Sequence, residues 1–162
     1  SKGIVEIIQI IEVFKAIKHK VNLIVFCGLN TSLKKELMNL RHNKNLNILS
    51  LGYQKNPAVY YAVSDCIIGK AGGITIFEIA ATKKPFIIYS PLPGQEEKNT
   101  KFLVSHQSAI NPKNQRELKN VIEMWFSNRN FFTKIANNIS KLHIPDAPST
   151  IVNKIITHLN IL

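Results

Sequence analysis

The sequence predicts an α/β domain in which a parallel sheet is wrapped by helices on both faces. Helical and strand patterns alternate along nearly the whole chain, as crossover connections between parallel strands require. The strand segments, such as Leu23-Ile24-Val25-Phe26 and Pro85-Phe86-Ile87-Ile88-Tyr89, are short and almost continuously apolar, which suits strands covered on both sides. At 162 residues and 45% hydrophobic, the chain has enough apolar material for one domain with a sizeable core.

The first helix is expected over about 4–19, from the spacing of Ile4, Ile7, Ile8, Ile11 and Phe14. A strand over about 22–27, a helix over 32–41, a strand over 46–51 and a helix over 57–63 follow. Asp65-Cys66-Ile67-Ile68 opens a strand over 65–69, and the glycine pair behind it leads into a helix over 74–83. Next come a strand over 85–89, a helix over 95–106 behind Pro91, Pro93 and Gly94, and a short strand over 108–110. Helices over 114–139 and 148–160 end the series, with Pro145 and Pro148 bracketing the turn before the last. There is no internal repeat and no low-complexity tract.

The most informative stretch runs from Lys70 to Asn99. In Lys70-Ala71-Gly72-Gly73-Ile74-Thr75-Ile76-Phe77-Glu78, a strand feeds a glycine pair that can take positive φ and let backbone N–H groups approach an anion. The N-terminus of the next helix is aimed at the same point. Thr75 adds a hydroxyl, and Glu78 lies one turn further on, where a carboxylate can accept from two vicinal ribose hydroxyls. The same four residues also spell a capping box, in which Thr75 and Glu78 only satisfy helix donors. In the second segment, Gly94, Gln95, Glu96 and Asn99 open a helix with amide and carboxylate groups suited to sugar hydroxyls. Glu96 and Glu97 are equally ordinary first-turn residues favoured by the helix dipole. Loops at the carboxyl ends of parallel strands share a rim, so both segments can reach one ligand.

The net charge is +11. Its basic residues are scattered, among them Lys15, Lys34, Arg41, Lys83 and Lys101. Such an excess fits an anionic membrane surface or an anionic donor, and equally a lysine-rich composition. No aromatic-plus-basic platform for specific nucleic-acid binding is visible. Cys27 and Cys66 lack metal-ligand spacing and are expected to be reduced core thiols of a cytoplasmic protein. The histidines lie in no nucleophile or metal motif, and His106 falls at the far end of its helix.

The motifs Gly52-Tyr53, Asp65-Cys66-Ile67-Ile68, Lys70-x-Gly72-Gly73-Ile74-Thr75-x-x-Glu78 and Pro93-Gly94-Gln95-Glu96-x-x-Asn99 resemble those of GT-B glycosyltransferases of one group. It contains MurG, monogalactosyldiacylglycerol synthase and processive diacylglycerol glucosyltransferases. The spelling is most similar to the diacylglycerol enzymes, over roughly 3–110. The resemblance implies a Rossmann-like C-terminal half of a GT-B fold that binds a UDP-hexose. Gly52 and Tyr53 would face uracil, Lys70, Gly72, Gly73 and Thr75 the diphosphate, Glu78 the ribose, and Gly94, Gln95, Glu96 and Asn99 the sugar and phosphates. Cys27-Gly28-Leu29-Asn30 resembles a turn near the interdomain cleft, which adds Gly28 and Asn30 as weaker candidates beside their reading as a plain turn.

Two departures sit by the phosphate loop, Gly69 for the usual Thr and Ala71 for a common Pro. The family's domain opens with an apolar strand and its own glycine-rich loop, whereas here the helical pattern starts at once, so the first strand is expected to be missing. The acceptor-binding domain and its general base are expected to be missing too, which makes the 162 residues a donor-binding fragment. The apolar face Ile151, Ile155, Ile156 and Leu159 would then lack the partner that a C-terminal GT-B helix finds on the other domain. The implied activity is inverting transfer of glucose or galactose from UDP to a diacylglycerol-type lipid, with neither metal nor further cofactor, at the cytoplasmic face of a membrane. MurG-like N-acetylglucosaminyl transfer and a non-catalytic nucleotide-sugar-binding subunit remain open alternatives.

Overall fold

The computed structural model describes residues 2–40, 44–143 and 146–159. Its elements run in the order α1 (Lys2–Lys15), β1 (Val21–Phe26), α2 (Thr31–Asn39), β2 (Leu46–Leu51), α3 (Ala58–Val63) and β3 (Ile67–Gly69). Then come α4 (Gly73–Thr82), β4 (Phe86–Ile88), α5 (Gln95–Ser105), α6 (Gln115–Ser127), α7 (Arg129–Ser140) and α8 (Ala147–Leu159). The alternation expected from the sequence is present throughout, and every strand pairing is parallel. The expected short strand at 108–110 reduces to a single parallel bridge, Ile87 with Ile110.

Instead of one continuous sheet the strands form two parallel pairs, β1 with β2 and β3 with β4. β1 and β2 are in register from Val21 opposite Leu46 to Phe26 opposite Leu51. β3 and β4 pair from Ile67 opposite Phe86 to Gly69 opposite Ile88. The apolar core falls into two clusters. Ile11, Phe14, Leu33, Leu37, Leu46, Leu118 and Phe132 belong to the larger, which covers β1 and β2 and takes in Ile87 of β4. Ile67, Ile76, Ile79, Phe86, Ile88, Leu103 and Ile139 form the second, around β3 and β4. Helix α1 packs on α6, α2 on β2, and α4 on α7, so the helices hold both pairs in one domain.

Side-chain caps start three of the helices. Asn30 Oδ1 accepts the Leu33 N–H at 2.9 Å for α2, Asn114 Oδ1 the Glu117 N–H at 2.9 Å for α6, and Asn128 Oδ1 the Phe131 N–H at 3.2 Å for α7. Helices α4 and α5 start instead at Gly72 and Gly94, with no side-chain cap. In α8, Ile151, Ile155 and Leu159 are exposed and Ile156 is half-buried, as the sequence led us to expect for an uncovered face. Pro148 lies within the first turn of α8 rather than ahead of it, while Arg41 and Pro145 fall outside the described residues.

Candidate functional site

Because all strands run the same way, the turns that leave them for α2, α4 and α5 emerge at one rim. The turns behind β1 and β2 touch, since a Cβ built on Gly52 would lie 3.7 Å from the Gly28 carbonyl oxygen. Those behind β3 and β4 are tied by a hydrogen bond. Asn99, on α5, donates through Nδ2 to the Ala71 carbonyl at 2.8 Å, and a Cβ on Gly73 would meet Gln95 Nε2 at 3.9 Å. The glycine loop and the amide helix, 28 residues apart in sequence, are therefore one structural unit.

The glycine pair works differently from the sequence expectation. Gly72 has φ −67° and ψ 145°, and positive φ among the described glycines occurs only at Gly28 and Gly94. The reason is that α4 begins directly behind an extended Gly72, so the chain needs no reversal there. What the missing side chains supply is space: nothing covers the first turn of α4 from the cap position. Its leading N–H groups have no side-chain acceptor and carry the positive end of the helix dipole.

The capping-box alternative fails on register. Thr75 stands three residues inside the cap position held by Gly72, so it is a first-turn residue, not a cap. Glu78 is thereby released from a capping duty and stays half-buried one turn along the same face. Its carboxylate is close enough to Tyr61 to be felt there: the phenol is pushed above its ordinary range by burial and then by the Glu78 charge.

Lys70 has an ion pair that the sequence did not announce. Its Nζ lies 3.0 Å from Glu6 Oε2, and Ser90 donates to Glu6 Oε1 at 2.6 Å. Buried Glu6 thus joins α1 to the ends of β3 and β4, and Tyr89 supports it by donating to Gln9 Oε1 at 3.3 Å. Burial and the Glu6 charge push the Tyr89 phenol upward. Ser90 has φ +52°, an unusual value for a serine and one that tends to gather at functional sites. Glu6 and Ser90 were not singled out in the sequence; the only local hint was a carboxylate inside an isoleucine-rich helix.

In the second loop Gly94 has φ +94°, which only glycine adopts without strain. Glu96 Oε2 accepts the Leu92 N–H at 2.7 Å and fixes that loop, while Gln95 is exposed. Behind β2, Tyr53 is 67% exposed and Gln54 donates to the Gly52 carbonyl at 3.4 Å. Gly28 has φ +55°. Asn30 spends its side-chain oxygen on the α2 cap, which fits the plain-turn reading of that segment.

Residues 1–148 match the model of the glycosyltransferase family 28 C-terminal domain. The chain belongs to this family. It is 31% identical over 137 residues to the processive diacylglycerol beta-glucosyltransferase of Bacillus subtilis, covering 85% of this chain and 36% of the relative. With the enzyme of the same name from Bacillus licheniformis it shares 31% over 145 residues, 90% of this chain and 38% of the relative. Crystalline MurG of Acinetobacter baumannii superimposes with a TM-score of 0.77 at 24% identity, over 97% of this chain and 46% of MurG. The family match and this likeness establish the C-terminal half of a GT-B fold. The chain spans little more than a third of the length of the Bacillus relatives it matches. Among the described residues no helix is long and apolar enough to cross a membrane.

Proposed function

We propose that this domain binds the UDP-sugar donor of an inverting hexosyltransferase that passes glucose or galactose to a diacylglycerol-type lipid. One observation carries the reading. The uncapped first turn of α4 and the amide-bearing first turn of α5 are fastened together at one rim by the Asn99–Ala71 hydrogen bond, with Glu78 free one turn further on. A diphosphate fits the open N–H groups, a ribose the carboxylate, and a hexose the amides. The Bacillus relatives, named for glucosyl transfer to diacylglycerol, support the choice of sugar and acceptor.

In this reading the domain acts electrostatically. The α4 N-terminus stabilises charge developing on the UDP leaving group, and a general base from outside these 162 residues takes the proton of the acceptor hydroxyl. The net charge of +11 supports a seat on an anionic membrane surface. The test is calorimetric competition on the purified domain. UDP-glucose or UDP-galactose is expected to displace UDP better than GDP-mannose does, NAD is expected not to compete, and no hexose is expected to be turned over. Equal binding of all these nucleotides, or turnover by the domain alone, contradicts the proposal.

A further inference from the structure

Glu6 is a buried carboxylate in the isoleucine-rich helix α1, where burying a charge costs free energy. It does not hold the helix down alone, because Tyr89 also ties α1 to the end of β4 by donating to Gln9 at 3.3 Å. A buried ion pair adds little net stability over an apolar pair of similar size, so the place of this one matters more than its strength. Glu6 Oε2 lies 3.0 Å from Lys70 Nζ, and Oε1 accepts from Ser90 at 2.6 Å. Lys70 stands two residues ahead of the Gly72 that opens α4, and Ser90 four ahead of the Gly94 that opens α5. Glu6, Lys70 and Thr75 line one cavity. A single carboxylate therefore stands behind both loops of the candidate site.

A lysine ammonium has three donors, and Glu6 takes one, which leaves donors for an anion at the α4 N-terminus. An anion held there by Lys70 comes within about 6 Å of the carboxylate, twice the length of a charge-assisted hydrogen bond. At that separation and an effective dielectric of about 20, Glu6 lowers affinity by roughly a hundredfold for each unit of anion charge. Lys70 is 30% exposed, and screening by solvent brings this to roughly tenfold. The effect counts charges. A nucleoside diphosphate with a free terminal phosphate carries about one negative charge more at neutral pH than its hexose ester, because the ester lacks the ionisation at about pH 6.

We propose that Glu6 is a specificity-determining residue of the donor site: paired with Lys70 from behind, it weakens free UDP more than UDP-hexose, so that the used nucleotide leaves and fresh donor replaces it. This rests on the donor-site reading. Ser90 is the positioning residue for Glu6, since its hydrogen bond at 2.6 Å fixes one carboxylate oxygen and leaves the other to Lys70. The φ of +52° at Ser90 belongs to that arrangement. Neutral groups fasten a helix as well as a carboxylate does, but only a charge separates two ligands that differ by a charge.

The experiment titrates UDP and UDP-glucose calorimetrically into the parent chain, Glu6→Gln and Glu6→Asp, and reads the ratio of the two Kd values, UDP over UDP-glucose. Gln keeps an acceptor for Ser90 and removes the charge, so the ratio is expected to fall roughly tenfold in Glu6→Gln. Asp keeps the charge, and its ratio is expected to stay within about twofold of the parent. A role in folding alone weakens both ligands together and leaves the ratio where it was. If Glu6→Gln does not fold, the same change is read in the Lys70→Gln background, where the double variant is expected to show a ratio roughly tenfold below that of Lys70→Gln. A parent chain that binds both ligands, with a ratio that Glu6→Gln leaves unmoved or raises, overturns this inference and leaves the donor site standing. An equal fall of the ratio in Glu6→Asp overturns it as well. A parent chain that binds neither ligand overturns the donor-site reading and this inference with it.

Discussion

Two strand-to-helix turns at the same rim, Cys27–Asn30 and Lys70–Gly72, begin alike and end differently. In the first, Asn30 Oδ1 plugs the N-terminus of α2 by accepting the Leu33 N–H at 2.9 Å. In the second, Gly72 occupies the cap position of α4 with nothing to offer, and the first turn stays open. Both helices carry the same dipole, so the difference lies in whether the sequence satisfies the helix end or leaves it for a ligand. The capped helix is a structural stop. The uncapped one, tied to α5 by the Asn99–Ala71 hydrogen bond, is the proposed donor site.

The strongest way to break this contrast is to give α4 the cap that α2 has. Gly72 already has the extended backbone of a cap residue, so Gly72→Asp is expected to gain a few tenths of a kcal/mol in stability, roughly what separates a good cap from glycine. It should also cost UDP at least about a hundredfold in affinity, because a carboxylate now occupies the anion's place. Thermal melting and calorimetry on one preparation read both.

Glu78→Gln sharpens the same contrast one turn further along. Since Glu78 caps nothing, the substitution is expected to leave stability within about 0.5 kcal/mol. Loss of a charged acceptor for two ribose hydroxyls should weaken UDP by roughly tenfold to a hundredfold, about 1.5 to 3 kcal/mol. Titration of the folded variant decides it.

The rim glycines separate space from strain. Gly94→Ala forces alanine to φ +94° and is expected to cost about 1 to 2 kcal/mol in urea unfolding. Gly72→Ala, at φ −67° with 3.7 Å to Thr75 Oγ1, should unfold within about 0.5 kcal/mol of the parent.

The smallest effect on UDP binding is expected at the capped turn. Asn30→Ala removes a helix cap and should lower stability by about 1 kcal/mol, while UDP affinity stays within about twofold of the parent. A larger loss of affinity would return Asn30 to the donor site.

The order of elements was legible because each strand is an apolar run and each helix keeps its own period, both local properties. The glycine pair and Glu78 were legible for the same reason. The conformation of that pair was not, because whether a glycine needs positive φ depends on the direction in which the next helix leaves, and α4 leaves straight from an extended Gly72. The register of Thr75 was hidden likewise: the letters of a capping box are present, but the helix starts before them. The ion pair of Lys70 with Glu6 was not legible either, because it joins residues far apart in sequence.

The central claim is that the open N-terminus of α4, and not the capped N-terminus of α2, receives the diphosphate. Amide chemical shifts recorded during UDP titration test it directly. Saturable shifts are expected to concentrate at Gly72, Gly73, Ile74 and Thr75 and at Gln95 to Asn99, with Thr31 to Leu33 unmoved. Shifts centred on Thr31 to Leu33, or none at α4 when UDP is bound, would contradict it.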